Sequence, residues 1–176
     1  PIMWQDLTEY VGAIHAHSTY SDGGGSVDEI LSATVKTGLD FLILTDHNTL
    51  DAREAGYEGW HDDLLLIVGD EVSTRHGHCL ALGTNSHVNH HQKASAVLSD
   101  ITGQGGHAYI AHPHGRYRPL LKMRDHSWKA WDADVFTGIE LWSYMFDWAT
   151  TFHYSRFPNH YKGPDAQING PSDETL

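Results

Sequence analysis

The 176-residue chain is long enough for one domain with a real core, but it is short of the roughly 250 residues of a typical complete α/β barrel. Its 11 Lys and Arg against 23 Asp and Glu give a formal net charge of -12, which argues against nucleic acid and anionic membranes as partners. A single cysteine excludes an internal disulfide, and no apolar run of about 18 residues indicates a membrane span, so cytoplasm is the default location.

The first predicted unit is a strand followed by a helix. Residues 10–14 form a predicted strand that leads into His15 and His17. Side chains alternate between the two faces of a strand, so both imidazoles are expected on one face. Further on, Ser26 and Glu29 have the spacing of a capping box, which predicts the start of a helix.

Two more strands are predicted from continuous apolar runs. Residues 41–44 end shortly before His47, and residues 64–68 end shortly before Glu71. Apolar runs without alternation are typical of parallel strands that are covered on both faces. Residues 51–60, which lie between the two runs, are predicted as a short helix.

The next predicted elements continue the mixture of strands and helices. Residues 78–82 form a predicted strand that meets Glu71 most easily if it runs back antiparallel after a tight turn. Residues 94–101 carry a helical stripe of apolar side chains, and residues 107–112 form a strand that ends at a histidine.

The last predicted strand is residues 138–142, where Glu140 could line a pocket at the strand end, and residues 152–171 are expected to form a long loop. Repeated βα units indicate an α/β barrel or a doubly wound sheet. In both architectures, functional side chains converge at the carboxyl ends of parallel strands.

Candidate metal ligands fall at or near these predicted strand ends. A mixture of imidazoles and carboxylates suits Zn, Mn or Fe, and it argues against an all-oxygen calcium site or an all-thiolate zinc site. We therefore expect two to three divalent metal ions. The seven candidate ligands are His15, His17, Asp22, His47, Glu71, His78 and His112.

In this order and spacing, the motifs resemble those of the polymerase and histidinol phosphatase (PHP) family of metal-dependent hydrolases. The resemblance covers about residues 10–145. It implies a distorted (βα)7 TIM-like barrel that holds a trinuclear metal site. The matching segments are His15-Ala16-His17-Ser18 with Ser21-Asp22-Gly23, Thr45-Asp46-His47-Asn48, Gly69-Asp70-Glu71, His78-Cys79-Leu80 and Ala111-His112-Pro113.

The resemblance also implies how the seven ligands divide among three ions. Two neighbouring ions would lower the pKa of a bridging water, and the resulting hydroxide would attack phosphorus. Glu71 and Asp22 are therefore expected at the reacting centre. By this resemblance, His15 and His17 bind the first ion, Glu71 bridges the first and second, His78 and His112 complete the second, and Asp22 with His47 holds the third.

Four further residues near the ligand segments are candidates for handling a phosphate ester. His114 could protonate the leaving group. Arg75, Arg116 and Arg118 could bind the nonbridging phosphate oxygens, although each could equally be a solvated surface residue. Asp46 and Asp70 precede ligands, and they could orient imidazoles or serve packing. Histidines outside the motifs, including His126, are assigned to the surface or to loops.

One part of the family pattern is missing from this sequence. The family also uses a late Asp-x-His pair, whereas the nearest string here, residues 172–175, ends in Thr175. We therefore expect a single PHP-type domain over residues 1–176, truncated at its C-terminus and lacking the last strand and helix. The pair could be lost, truncated or supplied by another chain. Because the chain begins at Pro1, a removed signal peptide also stays open.

The predicted activity is that of a metal-dependent phosphoesterase acting on a small phosphorylated metabolite or nucleotide. One alternative is hydrolysis of carboxylic or carbamate esters at the same metal site. Another is a noncatalytic or proofreading module associated with a DNA polymerase, against which the net charge of -12 argues. The sequence leaves the substrate, the metal and the oligomeric state open.

Overall fold

The structure is a computed structural model that describes residues 7–115, 125–143 and 145–146. Within these residues the fold is mixed α/β, with two four-stranded sheets. None of the described helices is long and apolar enough to cross a membrane. The elements are β1 (Gly12–Ala16), α1 (Val27–Val35), β2 (Phe41–Leu44), α2 (Asp51–Glu54), β3 (Gly59–His61), β4 (Leu64–Val68), β5 (Asp70–Thr74), β6 (Gly77–Leu82), α3 (Ala94–Gly103), β7 (His107–Ile110) and β8 (Gly138–Ile139).

The first sheet has the strand order β1-β2-β4-β3. Its centre is parallel, because β2 pairs in parallel with both β1 and β4, and β3 adds an antiparallel edge. The helix α1 begins at Ser26, whose side chain and that of Glu29 complete the predicted capping box. Leu31 of this helix packs in a core cluster with Leu42, Leu44 and other buried side chains of the sheet.

The second sheet has the order β5-β6-β7-β8, in which β5, β6 and β7 are antiparallel neighbours and β8 is parallel to β7. The predicted antiparallel return of the strand after Glu71 is confirmed by the pairing of Ser73 with His78. The helix α3 provides Val97, Leu98 and Ile101 to the core of this sheet.

The two sheets meet at the segment that carries Glu71. The step from β4 to β5 passes through Gly69, where a Cβ would lie 2.5 Å from the Leu82 side chain and 2.8 Å from the Ala81 carbonyl oxygen. The Glu71 N–H then donates to the Asp46 carbonyl oxygen at 3.2 Å, which links β5 to the end of β2. The glycine therefore lets the chain change sheets beside the carboxyl end of β2.

Three sequence predictions differ from the observed fold. Helix was predicted over residues 51–60, but α2 ends at Glu54, because Gly56 and Gly59 adopt positive φ values of 86° and 134° that end the helix and lead into β3. The strand predicted over 138–142 is only the two-residue β8. The (βα)7 barrel is not closed within the described residues, since β1 and β8 each have a single strand neighbour. The loop predicted at 152–171 lies outside the described residues.

Candidate metal centre

Glu71 of β5 is the centre of the site, and its side chain is 1% exposed. One carboxylate oxygen, Oε1, lies 2.9 Å from His78 Nδ1 and 2.8 Å from His112 Nε2. His78 is on the neighbouring strand β6, and His112 follows the end of β7. The second sheet therefore brings two imidazoles to one oxygen of the buried carboxylate.

The other oxygen of Glu71, Oε2, faces three imidazoles from the first sheet. It lies 3.0 Å from His15 Nε2, 3.2 Å from His17 Nε2 and 3.3 Å from His47 Nδ1. The carboxylate thus divides five imidazoles into two groups, one on each oxygen. This is the arrangement that a carboxylate bridging two cations requires.

The backbone near the end of β1 departs from regular strand geometry. His15 has a φ of 63°, and the register between β1 and β2 shifts between Ala13 and Ala16. His17 follows two residues later, and the ring centroids of His15 and His17 are 5.2 Å apart. The structure therefore brings the two imidazoles together as expected, but through an irregular strand end that simple alternation does not predict.

Asp22 approaches the centre from an exposed turn. Its Oδ1 lies 3.4 Å from His17 Nδ1, its Oδ2 lies 3.7 Å from His47 Nε2, and its side chain is 71% exposed. A Cβ on the next residue, Gly23, would lie 2.1 Å from the His17 carbonyl oxygen. The absence of a side chain at Gly23 is thus what lets the turn fold against the backbone of His17.

Asp46 supports the same turn through hydrogen bonds. Its carboxylate is buried, and it accepts hydrogen bonds from the Ser18 N–H at 2.7 Å, the Ser18 hydroxyl at 2.7 Å and the Ser21 hydroxyl at 2.6 Å. Because its hydrogen bonds go to the serines, Asp46 supports the segment between His17 and Asp22, and it is linked to an imidazole through the Ser21 hydroxyl, which lies 3.4 Å from His17 Nδ1.

Asp70 is fully buried beside Glu71 in sequence, and its Oδ2 lies 3.5 Å from His87 Nδ1. Burial raises the pKa of Asp70 to about 7, although the backbone N–H groups of Asn48 and Thr49 lower it. Its imidazole neighbour is His87, which is outside the set of predicted ligands.

Burial and hydrogen bonds together shift the pKa values of the charged residues in the centre. Burial disfavours the Glu71 carboxylate, but the surrounding imidazoles hold its pKa well below the ordinary value. Burial also disfavours a charged His15, yet hydrogen bonds to Glu140 and Glu71 raise the pKa of His15 to about 10. Without an ion, a proton on His15 therefore balances the buried negative charge.

The donor set fits a divalent metal ion. The ligand atoms of His15, Glu71 and His112 lie within 4.8 Å of one another, and so do those of His17, His47 and Glu71. The Nδ1 atom of His47 is buried and makes no hydrogen bond to any described residue, because its 3.3 Å approach to Glu71 Oε2 lacks hydrogen-bond geometry. Imidazole nitrogens with free lone pairs beside a carboxylate are suitable ligands for zinc, manganese or iron.

A cavity of about 600 Å³ opens over these ligands. Its floor includes the five histidines, Glu71 and Asp22, and its wall carries the apolar side chains of Ile14, Trp142, Met145 and Phe146. A small ligand could therefore reach the ligand cluster from solvent while contacting an apolar wall.

Some of the predicted catalytic and substrate-binding residues lie elsewhere. His114 is exposed and does not line the cavity. Arg75 is also exposed and absent from the cavity lining, and its Nε donates to the His91 carbonyl oxygen at 3.1 Å. The turn between β5 and β6 directs this arginine towards the segment at His91. Arg116 and Arg118 lie outside the described residues.

Two cavity residues lie closer to the predicted metal ligands than the sequence indicated. His126 was assigned to the surface or to loops, and it does lie outside the helices and strands, but it also lines the cavity with its ring centroid 4.8 Å from that of His78. No motif surrounds His126, and its position depends on its N–H bond to the distant Gly115 carbonyl oxygen, so no local signal predicts it. Glu140 was expected to line a pocket at its strand end, and it also contacts His15 directly.

Comparison with solved structures supports the class of fold. A structure from Bifidobacterium adolescentis, an inferred metal-dependent phosphoesterase, is similar with a TM-score of 0.57 and 16% sequence identity, covering 75% of this chain and 77% of that one. At this level of identity the similarity concerns the fold. A two-domain Bacteroides vulgatus protein containing a predicted enzyme of this type aligns with a TM-score of 0.46 and 21% identity, and the match covers 59% of this chain and 35% of that protein.

Sequence comparison identifies two further similar proteins, and no family model matches the chain. An uncharacterized protein of Methanocaldococcus jannaschii is 28% identical across 62% of this chain and 69% of its own length. The DNA polymerase/3'-5' exonuclease PolX of Bacillus subtilis is 40% identical over 43 residues, which are 24% of this chain and 8% of that protein. These similarities leave the substrate undetermined.

Proposed function

We propose that the chain is a PHP-type hydrolase that cleaves phosphate esters of small metabolites or nucleotides with two to three divalent metal ions. The observation that carries this proposal is the division of five imidazoles between the two oxygens of the buried Glu71 carboxylate. One bridging carboxylate between two nitrogen-rich ligand groups is suited to holding two cations close together.

The proposed ligands would divide among three ions. His78 and His112 would hold an ion with Glu71 Oε1, and His15 and His17 would hold another with Oε2. Asp22 and His47, whose side chains approach each other to 3.7 Å, are the proposed ligands of a third ion. Bound divalent ions supply Lewis acidity and activate a water nucleophile.

The protein itself would bind and orient the substrate around this centre. His126 lines the cavity beside His78, so it is better placed than the exposed His114 to hydrogen-bond to an ester oxygen. Arg116 and Arg118, which follow the His112 segment closely in sequence, remain proposed phosphate-binding residues. The apolar wall around Trp142 would contact the leaving group.

One observation favours hydrolysis of uncharged carboxylic or carbamate esters as a second candidate. Among the described residues, the cavity lining contains neither lysine nor arginine. A phosphate dianion needs positive charge on its nonbridging oxygens, whereas a carbonyl substrate needs less. Within the described part of the cavity, bound metal ions would therefore have to supply that charge for a phosphate ester.

Parallel assays on metal-loaded protein distinguish these functions. We expect hydrolysis of p-nitrophenyl phosphate, and we expect His78→Ala to lower kcat/KM by more than about 100-fold because it removes a ligand group from Glu71 Oε1. His107→Ala is the matched control, since His107 is an exposed histidine at the start of β7. Hydrolysis of naphthyl acetate without phosphatase activity would support the ester alternative, and DNA binding without detectable metal would support a polymerase-associated module.

A further inference from the structure

Glu140 ties together two ligand segments that belong to different sheets. It follows β8, its side chain is 6% exposed, and its Oε1 lies 3.0 Å from His15 Nδ1. Its other oxygen, Oε2, accepts the backbone N–H of His112 at 2.6 Å. Both oxygens of this carboxylate are therefore used, each on a different predicted ligand.

The contact with His15 determines which ring nitrogen is available to a metal ion. An ionised carboxylate accepts hydrogen bonds and cannot donate them, so His15 Nδ1 must carry the proton of this contact. The opposite nitrogen, Nε2, then points to Glu71 Oε2 at 3.0 Å. Imidazole ligands are commonly oriented in this way by a carboxylate on the second nitrogen.

The contact with His112 holds a strained part of the backbone. His112 has a φ of 28°, a region that residues with a side chain rarely adopt. The Glu140 N–H donates to the Ile110 carbonyl oxygen at 2.8 Å, and the Glu140 carboxylate accepts from the His112 N–H. These two hydrogen bonds fix the end of β7, from which the His112 imidazole reaches Glu71 Oε1.

We propose that Glu140 is a positioning residue that orients one metal ligand on each side of the Glu71 carboxylate. His15 lies on the Oε2 side and His112 on the Oε1 side, so both ion positions depend on a single glutamate. This inference rests on the proposed metal centre and adds a residue that acts through the ligands. A glutamate that was itself a ligand would instead affect the one ion it binds.

The two-sided contact predicts a graded series of variants. Glu140→Ala removes both acceptors, so it should weaken the binding of both ions. Glu140→Gln keeps the size of the side chain but has a single acceptor oxygen, and its amide NH₂ cannot accept the His112 N–H. Glu140→Gln should therefore lie between the wild type and Glu140→Ala in metal affinity.

Metal affinity can be measured on the metal-free full chain by titration with Zn²⁺ in competition with a chromophoric chelator. We expect Glu140→Ala to lower the affinity for both ions by about 10- to 100-fold, the usual effect of removing a carboxylate that orients a ligand. Glu54→Gln is the matched control, because Glu54 is an exposed glutamate of α2, and it should leave both affinities unchanged. Circular dichroism of each variant shows whether it is folded.

A second measurement distinguishes positioning from a general loss of structure. In the Zn²⁺-loaded wild type, a proton–nitrogen NMR correlation should show a protonated Nδ1 on His15 that exchanges slowly with water. This signal should be lost or exchange rapidly in Glu140→Ala, while Glu54→Gln retains it. If Glu140→Ala fails to fold, the intermediate metal affinity expected of Glu140→Gln provides the test.

The outcomes separate this inference from the proposed function. Wild-type affinity for both ions in Glu140→Gln and Glu140→Ala would overturn the positioning role while the proposed metal centre stands. Loss of one ion with the other unaffected would also overturn it, because a role on both sides of Glu71 requires both affinities to fall. A wild-type chain that binds no metal would contradict the proposed function itself.

Discussion

Glu71 and the five imidazoles around it are a cluster whose charges balance only in combination. The buried carboxylate stays ionised because imidazoles surround it, and the pKa of His15 rises to about 10 because Glu140 and Glu71 flank its two ring nitrogens. At neutral pH and without metal, both ring nitrogens of His15 therefore carry a proton. A metal ion and this proton compete for the same nitrogen, Nε2.

Metal binding at neutral pH should consequently release protons. His15 must lose its Nε2 proton when an ion binds, so affinity should rise with pH up to about 10, the folded-state pKa of His15. Isothermal titration calorimetry in buffers of different ionisation enthalpy measures the number of protons released. His15→Gln should lower that number by about one. Equal proton release in both proteins would show that His15 is not the proton carrier.

The elements position these residues through turns that have little space for side chains. Asp22 reaches His17 and His47 because the following residue, Gly23, packs directly on the His17 carbonyl oxygen. A Cβ at Gly23 would lie 2.1 Å from that oxygen, whereas a Cβ at Gly24 would meet no atom within 4 Å. Two adjacent glycines therefore differ in what an added methyl group would do.

Gly23→Ala should destabilise the protein and displace Asp22. We expect the free energy of unfolding in urea to fall by about 1–3 kcal/mol, because a backbone atom cannot yield as a flexible side chain can. Gly24→Ala is the matched control and should change it by less than about 0.5 kcal/mol. Equal effects of the two substitutions would mean that the turn adjusts without strain.

The same elements show how far sequence patterns predict structure. The capping box at Ser26, the apolar runs of β2 and β4, and the antiparallel return at His78 are local signals, and the structure confirms them. The short β3 was not predicted, because it depends on pairing with β4 and not on its own pattern. The irregular backbone at His15 likewise has no signal in the residue types alone.

At the scale of the molecule, the site lies where two sheets meet. Strand-end positions were enough to predict that His47, Glu71 and His112 would converge. Which Glu71 oxygen each imidazole faces depends on the change of sheet at Gly69, and this is a property of the packed chain. For the same reason, the contact of Glu140 with His15 and the position of His126 beside His78 became recognisable only in the folded structure.

Cys79 offers a probe of whether metal holds this whole arrangement together. It is the single cysteine of the chain, it is fully buried on β6 beside His78, and burial raises the pKa of its thiol. We expect slow reaction with Ellman's reagent in the metal-loaded protein, and faster reaction after EDTA treatment, because loss of the ions should ease local opening. Rapid stoichiometric labelling with metal bound would contradict this expectation.

The central claim is that Glu71 joins two groups of imidazoles into a centre for divalent metal ions. Its most direct test is the metal content of the purified full chain by inductively coupled plasma mass spectrometry, alongside that of Glu71→Gln. We predict two to three divalent ions per wild-type chain, removal of these ions together with the hydrolytic activity by EDTA, and a marked loss of metal in Glu71→Gln. A wild-type chain that binds no divalent ion, or a Glu71→Gln variant with the full wild-type content, would contradict the account.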